Sequence, residues 1–202
     1  MKKRMLILVM AAAGMGLMAG CGSLDVDSNT ICLGKNGKIT EGLVEDFSKD
    51  YYDEAELEAY INEAVETYGK EHKKGDVKVS DYRVEEQKAY LTLKYKNTDA
   101  YGEFNGVDIF HGTIVEAQAE GYDFDTDFVK VEDGKAAGAA EAGDVLADEE
   151  KKVLILHENM DIIVPGTILY VSKGVEVTAK DTVKVPEKED TAVAQVVYVI
   201  YK

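Results

Sequence analysis

Residues 53–69, DEAELEAYINEAVETYG, and residues 77–96, VKVSDYRVEEQKAYLTLKYK, run on two different periods, and the change between them decides the fold class. In the first stretch Leu57, Tyr60, Ile61, Ala64, Val65 and Tyr68 recur at spacings of three and four, which lines them up as one apolar stripe of a helix. Asp53 is placed to cap that helix, with Glu56 three residues on in the capping-box position. Glu54 and Glu58 suit the positive end of the helix dipole, and Gly69 is the expected stop. In the second stretch Val77 and Val79, then Ala89, Leu91, Leu93 and Tyr95, alternate with polar residues. That is the period of a strand with one buried face, turning near residues 85–87. One principal helix lying on a largely antiparallel sheet follows, an α+β fold.

The same reasoning extends outward. Thr30–Leu33 and Lys38–Val44 flank Asn36-Gly37, a pair that tolerates the positive φ of a tight hairpin. Short helical turns are predicted over 97–105 and 113–120, the second with Thr113 and Glu116 in capping-box positions and Gly121 as its stop. Residues 134–149, rich in Ala, Gly and acid, read as a loop with at most one helical turn. Strands return at 153–156, 162–164, 167–171, 175–178 and 192–201, with Pro165-Gly166 as a tight turn between two of them and the last strand apolar enough to be central.

The N-terminus has a different character. Lys2, Lys3 and Arg4 precede an apolar run from Met5 to Met15, and Leu17-Met18-Ala19-Gly20-Cys21 puts a cysteine directly after small residues. These five residues resemble the lipobox of bacterial lipoproteins. The resemblance implies that residues 1–20 are a signal peptide and that Cys21 is lipidated. It also implies that the protein is held at the cell membrane facing the extracytoplasmic side, the membrane being a partner through the lipid anchor. Two acyl chains anchor stably where one binds reversibly. The alternative is a transmembrane helix followed by a chance cysteine, but the apolar segment ending at Gly20 is short of the ~20 residues a span needs. Residues 22–29 read as a small polar tether and 30–202 as one globular domain. Gly34–Tyr68 and Ile162–Lys202 are similar to small lipoproteins of Gram-positive gut bacteria to which no activity is assigned.

Three basic residues and no acidic ones lie in residues 1–20, so the mature chain carries 20 Lys plus Arg against 39 Asp plus Glu, a formal charge of −19. That charge disfavours nucleic acid, whose binding needs cationic side chains on phosphates, and anionic surfaces generally. With Cys21 lipidated, Cys32 is left as a lone thiol in an apolar strand, read as a small buried hydrophobe with no disulfide in the chain.

Chemistry-bearing motifs are sparse. Asp123, Asp125 and Asp127 alternate as the start of a calcium loop does. The glycine and glutamate that an EF-hand needs at its sixth and twelfth positions are replaced by Phe128 and Gly134. The two readings are a Ca2+ site and a solvated acidic edge with Phe124 and Phe128 turned inward. His157-Glu158 lacks the second histidine of a zinc-protease helix. His111 near Asp108, with Ser48, Ser80 and Ser172 elsewhere, leaves a catalytic triad open but unsupported by any nucleophile or phosphate-loop signature. Twelve tyrosines and no tryptophan leave outward positions such as Tyr90 as contact candidates. The expected function is a non-catalytic envelope domain without a cofactor, binding a wall-derived ligand or an envelope protein. The alternatives are a structural envelope component and a hydrolase with an unrecognised site.

Overall fold

The computed structural model describes residues 24, 26–147, 151–186 and 196–202. The leader, Cys21 and the first residues of the last predicted strand lie outside them. The described residues form an α+β fold of two sheets and four helices. In order the elements are β1 (Thr30–Leu33), β2 (Ile39–Asp46), α1 (Glu54–Glu71), β3 (Val77–Glu85), β4 (Lys88–Tyr95), α2 (Thr98–Asn105), β5 (Ile109–Thr113) and α3 (Ile114–Ala119). There follow β6 (Phe128–Glu132), β7 (Lys135–Ala140), α4 (Ala142–Leu146), β8 (Lys152–Leu156), β9 (Asp161–Ile163), β10 (Ile168–Ser172), β11 (Glu176–Val177), β12 (Thr182–Lys184) and β13 (Val197–Tyr201). One sheet runs β11-β12-β9-β1-β2-β4-β3 and the other β5-β8-β13-β10-β6-β7, antiparallel throughout except where β1 lies parallel to β9. Among the described residues no helix is long and apolar enough to cross a membrane.

The alternation is realised in β4 at Ala89, Leu93 and Tyr95, with Leu91 half-buried, but Thr92 on the opposite face is buried too, and β3 changes phase at a bulge between Val79 and Asp81. Leu91, Leu93 and Tyr95 stand opposite Leu43, Glu41 and Ile39 of β2, and this face meets the second sheet in a core that includes Leu154, Leu156, Val197, Val199 and Tyr201. The opposite face of the second sheet carries Val153, Ile155, Tyr198 and Ile200 and is covered by Ile114 and Ala117 of α3, Val145 of α4 and Phe124. Residues 153–156 are therefore buried on both faces, and β13 is central, between β8 and β10.

Several expectations are corrected. The single sheet is two sheets, and the turn at Pro165-Gly166, placed as read, carries the chain from one to the other. The loop predicted over 134–149 contains the strand β7, while α4 is the one helical turn allowed there. Asp133 and Gly134, with φ of 50° and 71°, make the mirror-image turn that pairs β6 with β7. Helix α1 begins as read, Asp53 Oδ1 accepting from the Glu56 N–H at 2.9 Å, but it runs through Gly69 to Glu71. A Cβ at Gly69 would stand 3.5 Å from the Lys74 backbone, and the positive φ falls instead on Gly75, at 92°. The apolar stripe of α1 packs beside β3 with Tyr68 buried and Ile61, Ala64 and Val65 half-buried, while Tyr60 stays 70% exposed.

The tether, read over residues 22–29, is docked from Leu24 on. Leu24 is 6% exposed, and a Cβ at Gly42 would lie 2.7 Å from Val26 Cγ2 and 3.1 Å from Leu24 Cδ2. The missing side chain of Gly42 is what lets this segment lie on the sheet. Asn29 then holds it, accepting from the Val44 N–H at 2.7 Å and donating to Glu45 at 3.1 Å. Cys32 is buried as expected but is disulfide-bonded, not a free thiol. The lone-thiol reading assumed a thioether at Cys21, the only other cysteine of the chain, and a sulfur in a thioether is unable to form a disulfide.

Gly166 sits where the chain passes between sheets, and a Cβ there would collide with the Lys202 carbonyl oxygen and lie 2.7 Å from Tyr201 Cδ2. Gly166→Ala is expected to cost about 1–3 kcal/mol, as overpacking does. Gly143→Ala, in α4 with nothing within 4 Å, should be neutral or slightly stabilising. Urea unfolding of the pair checks this, and equal stabilities would contradict the close crossing at Gly166.

Candidate functional site

Four segments converge on an open cleft of about 950 Å3 at the β5 edge of the second sheet. The first turn of α2 supplies Thr98 and Asp99, the start of β5 supplies Asp108, Ile109, Phe110 and His111, the loop after α3 supplies Glu120 to Asp123 with Asp125 and Thr126, and the end of β8 supplies His157. Val196 and Tyr198 complete the lining. α3 reaches this place because its capping box is made in full: Thr113 Oγ1 accepts from the Glu116 N–H at 3.2 Å, and Glu116 Oε2 accepts from the Thr113 N–H at 2.6 Å. α2 is fixed by Asn97, whose Oδ1 accepts from the Ala100 N–H at 3.1 Å, and is ended by Gly106 in the left-handed region.

Asp108 is the hub of the cleft. Tyr122 donates to its Oδ1 at 2.6 Å, its Oδ2 lies 3.5 Å from His157 Nε2, and its carbonyl accepts from the His157 N–H at 3.1 Å. Burial, then the bond to Asp108, pushes the Tyr122 phenol well above its ordinary range, so it stays a donor. Tyr198, also raised by burial, donates to the Asp123 carbonyl at 2.6 Å. His111 Nε2 is 2.8 Å from the Tyr201 hydroxyl; burial, and next the charge of Lys152, lowers the His111 pKa and favours the neutral ring. Among the described residues the lining holds five carboxylates, the rings of Phe110, Tyr122 and Tyr198, and no lysine or arginine.

The predicted site residues are therefore partly gathered here. Asp123 and Asp125 line the cleft with His111 and His157, while Asp127 is turned to an ion pair with Lys173 at 2.8 Å. The alternation of this segment is as read, Phe124 and Phe128 buried and the three aspartates exposed. Asp123 Oδ1 is occupied by the Asp125 N–H at 3.2 Å, and among the described residues no three His, Cys, Asp or Glu side chains converge as a metal-binding group. The triad residues are not brought together: Ser48 bonds Asp46 and Ser172 Oγ accepts from the Tyr198 N–H at 3.1 Å. No protein-family model, curated protein or solved structure matches the chain. Tyr90 lies under the Arg83 guanidinium, 4.4 Å from the ring centre, and so is already engaged.

Behind α2 lies a polar cluster that sequence reasoning missed. Glu41 is 3% exposed, and its Oε2 accepts from the Tyr95 hydroxyl at 2.5 Å. Tyr101 of α2, 0% exposed, donates to Glu158 Oε2 at 2.5 Å and touches Met160 Sδ at 3.3 Å. Asn105 of α2 donates to the Tyr95 hydroxyl at 3.3 Å. Burial pushes the Glu41 carboxyl up from 4.5 to about 7; the bond from Tyr95 opposes this and the charge of Glu158 adds to it. The signal was present in the sequence: Ile39-Thr40-Glu41-Gly42-Leu43 puts Glu41 in phase with two apolar neighbours.

Proposed function

We propose that the protein is a lipid-anchored, extracytoplasmic binding domain whose cleft holds a cationic, amine-bearing ligand. The observation that carries this reading is the lining itself: Asp99, Asp108, Glu120, Asp123 and Asp125 around Phe110, Tyr122 and Tyr198, with His111 and His157 beside them and no lysine or arginine among the described lining residues. Carboxylates with low-dielectric walls concentrate cations, and aromatic faces add attraction for an ammonium group. The cleft falls within the size range of small-molecule sites. Basic wall-derived peptides and the basic segments of envelope proteins carry the required group. The lipobox-like residues 17–21 support the anchor, and docking from Leu24 leaves roughly 10 Å of chain between Cys21 and the domain at 3.4 Å per residue. The reading calls for no cofactor: Asp123 and Asp125 serve as charge in the cleft, and Asp127 is paired with Lys173.

The test uses the lipidated protein in detergent. Spermidine and a lysine-rich peptide should bind saturably, more weakly as salt is raised, and at least about tenfold more weakly to Asp108→Asn. Calcium and chelator should leave the melting temperature unchanged. Saturable binding to none of these amines sinks the cleft reading, and a calcium-dependent rise restores the cation site. Cys21→Ser should lose acyl label, and because the Cys32 disulfide and a thioether at Cys21 exclude each other, one thiol titrated in the denatured chain supports the anchor and none overturns it.

A further inference from the structure

α2 borders both the acidic cleft and a second groove. Its first turn, Thr98 and Asp99, walls the acidic cleft, and its last residues, Glu103, Phe104 and Asn105, wall a second groove of about 440 Å3 between α1 and the sheet. Between these it is pinned by Tyr101 and Asn105, the residues that close over Glu41 through Glu158 and Tyr95.

We propose that Glu41 is a proton-operated latch for α2: protonated, it keeps the helix seated on the sheet, and ionised, it loosens the helix and with it the wall of the acidic cleft. The consequence for the cleft rests on the binding function proposed above; the latch itself does not.

The argument is one of alternatives for a charge. Glu41 occupies the inward face of β2, opposite Leu93 on β4 and Ile31 on β1, and beyond Ile31 the facing residue of β9 is Ile162. The titratable groups that act on it are Tyr95 from β4, Tyr101 from α2 and Glu158 from the segment after β8, and none of them is a cation. A carboxylate formed there has no countercharge and one like charge nearby, which is a costly state unless water reaches it. β2 is unable to yield, because β1 and β4 pair it on both sides. α2 is eight residues long and has open space at both ends. Local opening of such a marginal element is the cheapest way to hydrate Glu41. A carboxyl that titrates near neutrality makes the change accessible in ordinary growth conditions.

Amide hydrogen exchange tests the latch. Corrected for intrinsic rates, protection of α2 should fall about tenfold more than that of β8 and β13 between about pH 5.5 and 8.5, with a midpoint near 7, and Glu41→Gln should keep α2 protected throughout. A pH-independent α2 in the wild type, or an equal fall in Glu41→Gln, overturns the proposal; the wild-type midpoint decides it even if the variant fails to fold. Spermidine affinity separates the two ideas. Other effects of pH on the cleft are common to both proteins, and the latch predicts that the wild type weakens relative to Glu41→Gln over the same range. Absence of spermidine binding at every pH refutes the cleft reading and leaves the exchange result to decide the latch.

Discussion

The stability difference between Glu41→Gln and the wild type is expected to widen by about 3 kcal/mol in favour of the variant as pH is raised from about 4.5 to 8. The folded protein holds the Glu41 proton up to about pH 7, whereas the unfolded chain releases it around 4.5. Between those values the folded state binds more protons, so the stability Glu41 provides is complete below 4.5, falls through the window and is lost above 7. A shift of about two and a half units corresponds to about 3 kcal/mol at 1.36 kcal/mol per unit. Glutamine resembles the neutral acid in shape, still accepts from Tyr95, and does not titrate. His111 works in the other direction: its pKa is lowered on folding, so its contribution grows as pH rises past the ordinary histidine value. That term, and the self-repulsion of an acidic chain, are shared by both proteins and cancel in the difference. Urea unfolding at four or five pH values measures it. A difference that does not change with pH would mean that Glu41 reaches water in the folded protein.

The features legible in the sequence are those that neighbouring residues decide. Asp53 with Glu56, Thr113 with Glu116, and Asn36-Gly37 are short-range devices, and each is found where it was read. β7 escaped because Lys135-Ala136-Ala137-Gly138-Ala139-Ala140 has no bulky side chains, although the Asp133-Gly134 pair before it is a hairpin signal of the same kind as Asn36-Gly37. Gly69 was read as a stop because glycine tolerates positive φ, yet it lies inside α1, where a Cβ would make only an ordinary contact with Lys74, and the positive φ falls on Gly75. Two sheets in place of one were foreshadowed by Val153-Leu154-Ile155-Leu156, all 0% exposed: four consecutive apolar residues in a strand require cover on both faces. The cleft had no such signature. Asp99, Asp108, Asp123 and His157 come from separate elements, and only the register of β5 on β8 and the placing of α2 bring them to one opening. Glu41 was missed for the opposite reason, since a charged residue in an alternating strand is ordinarily assigned to the solvent face.

Tyr101→Ala is expected to be the most damaging single substitution in α2, at about 3–5 kcal/mol. The ring is 0% exposed, packs edge-on against Tyr95 with centroids 5.0 Å apart, and belongs to the core shared by the two sheets. Truncation leaves a ring-sized void that β-sheet neighbours are too tightly paired to fill, and it strips Glu158 of its phenol donor. Tyr101→Phe separates these terms, keeping the ring and removing the hydroxyl, and should cost only about 1 kcal/mol because Glu158 is partly exposed and water replaces the lost donor. For a domain of this size the alanine variant should melt about 6–20 °C lower and the phenylalanine variant about 2–4 °C lower. Calorimetry of the pair, with urea unfolding beside it, decides the point. Equal losses in the two variants would show that the hydroxyl network, and not ring packing, seats α2, and a loss below about 1 kcal/mol in Tyr101→Ala would mean that α2 is not part of the cooperative core at all.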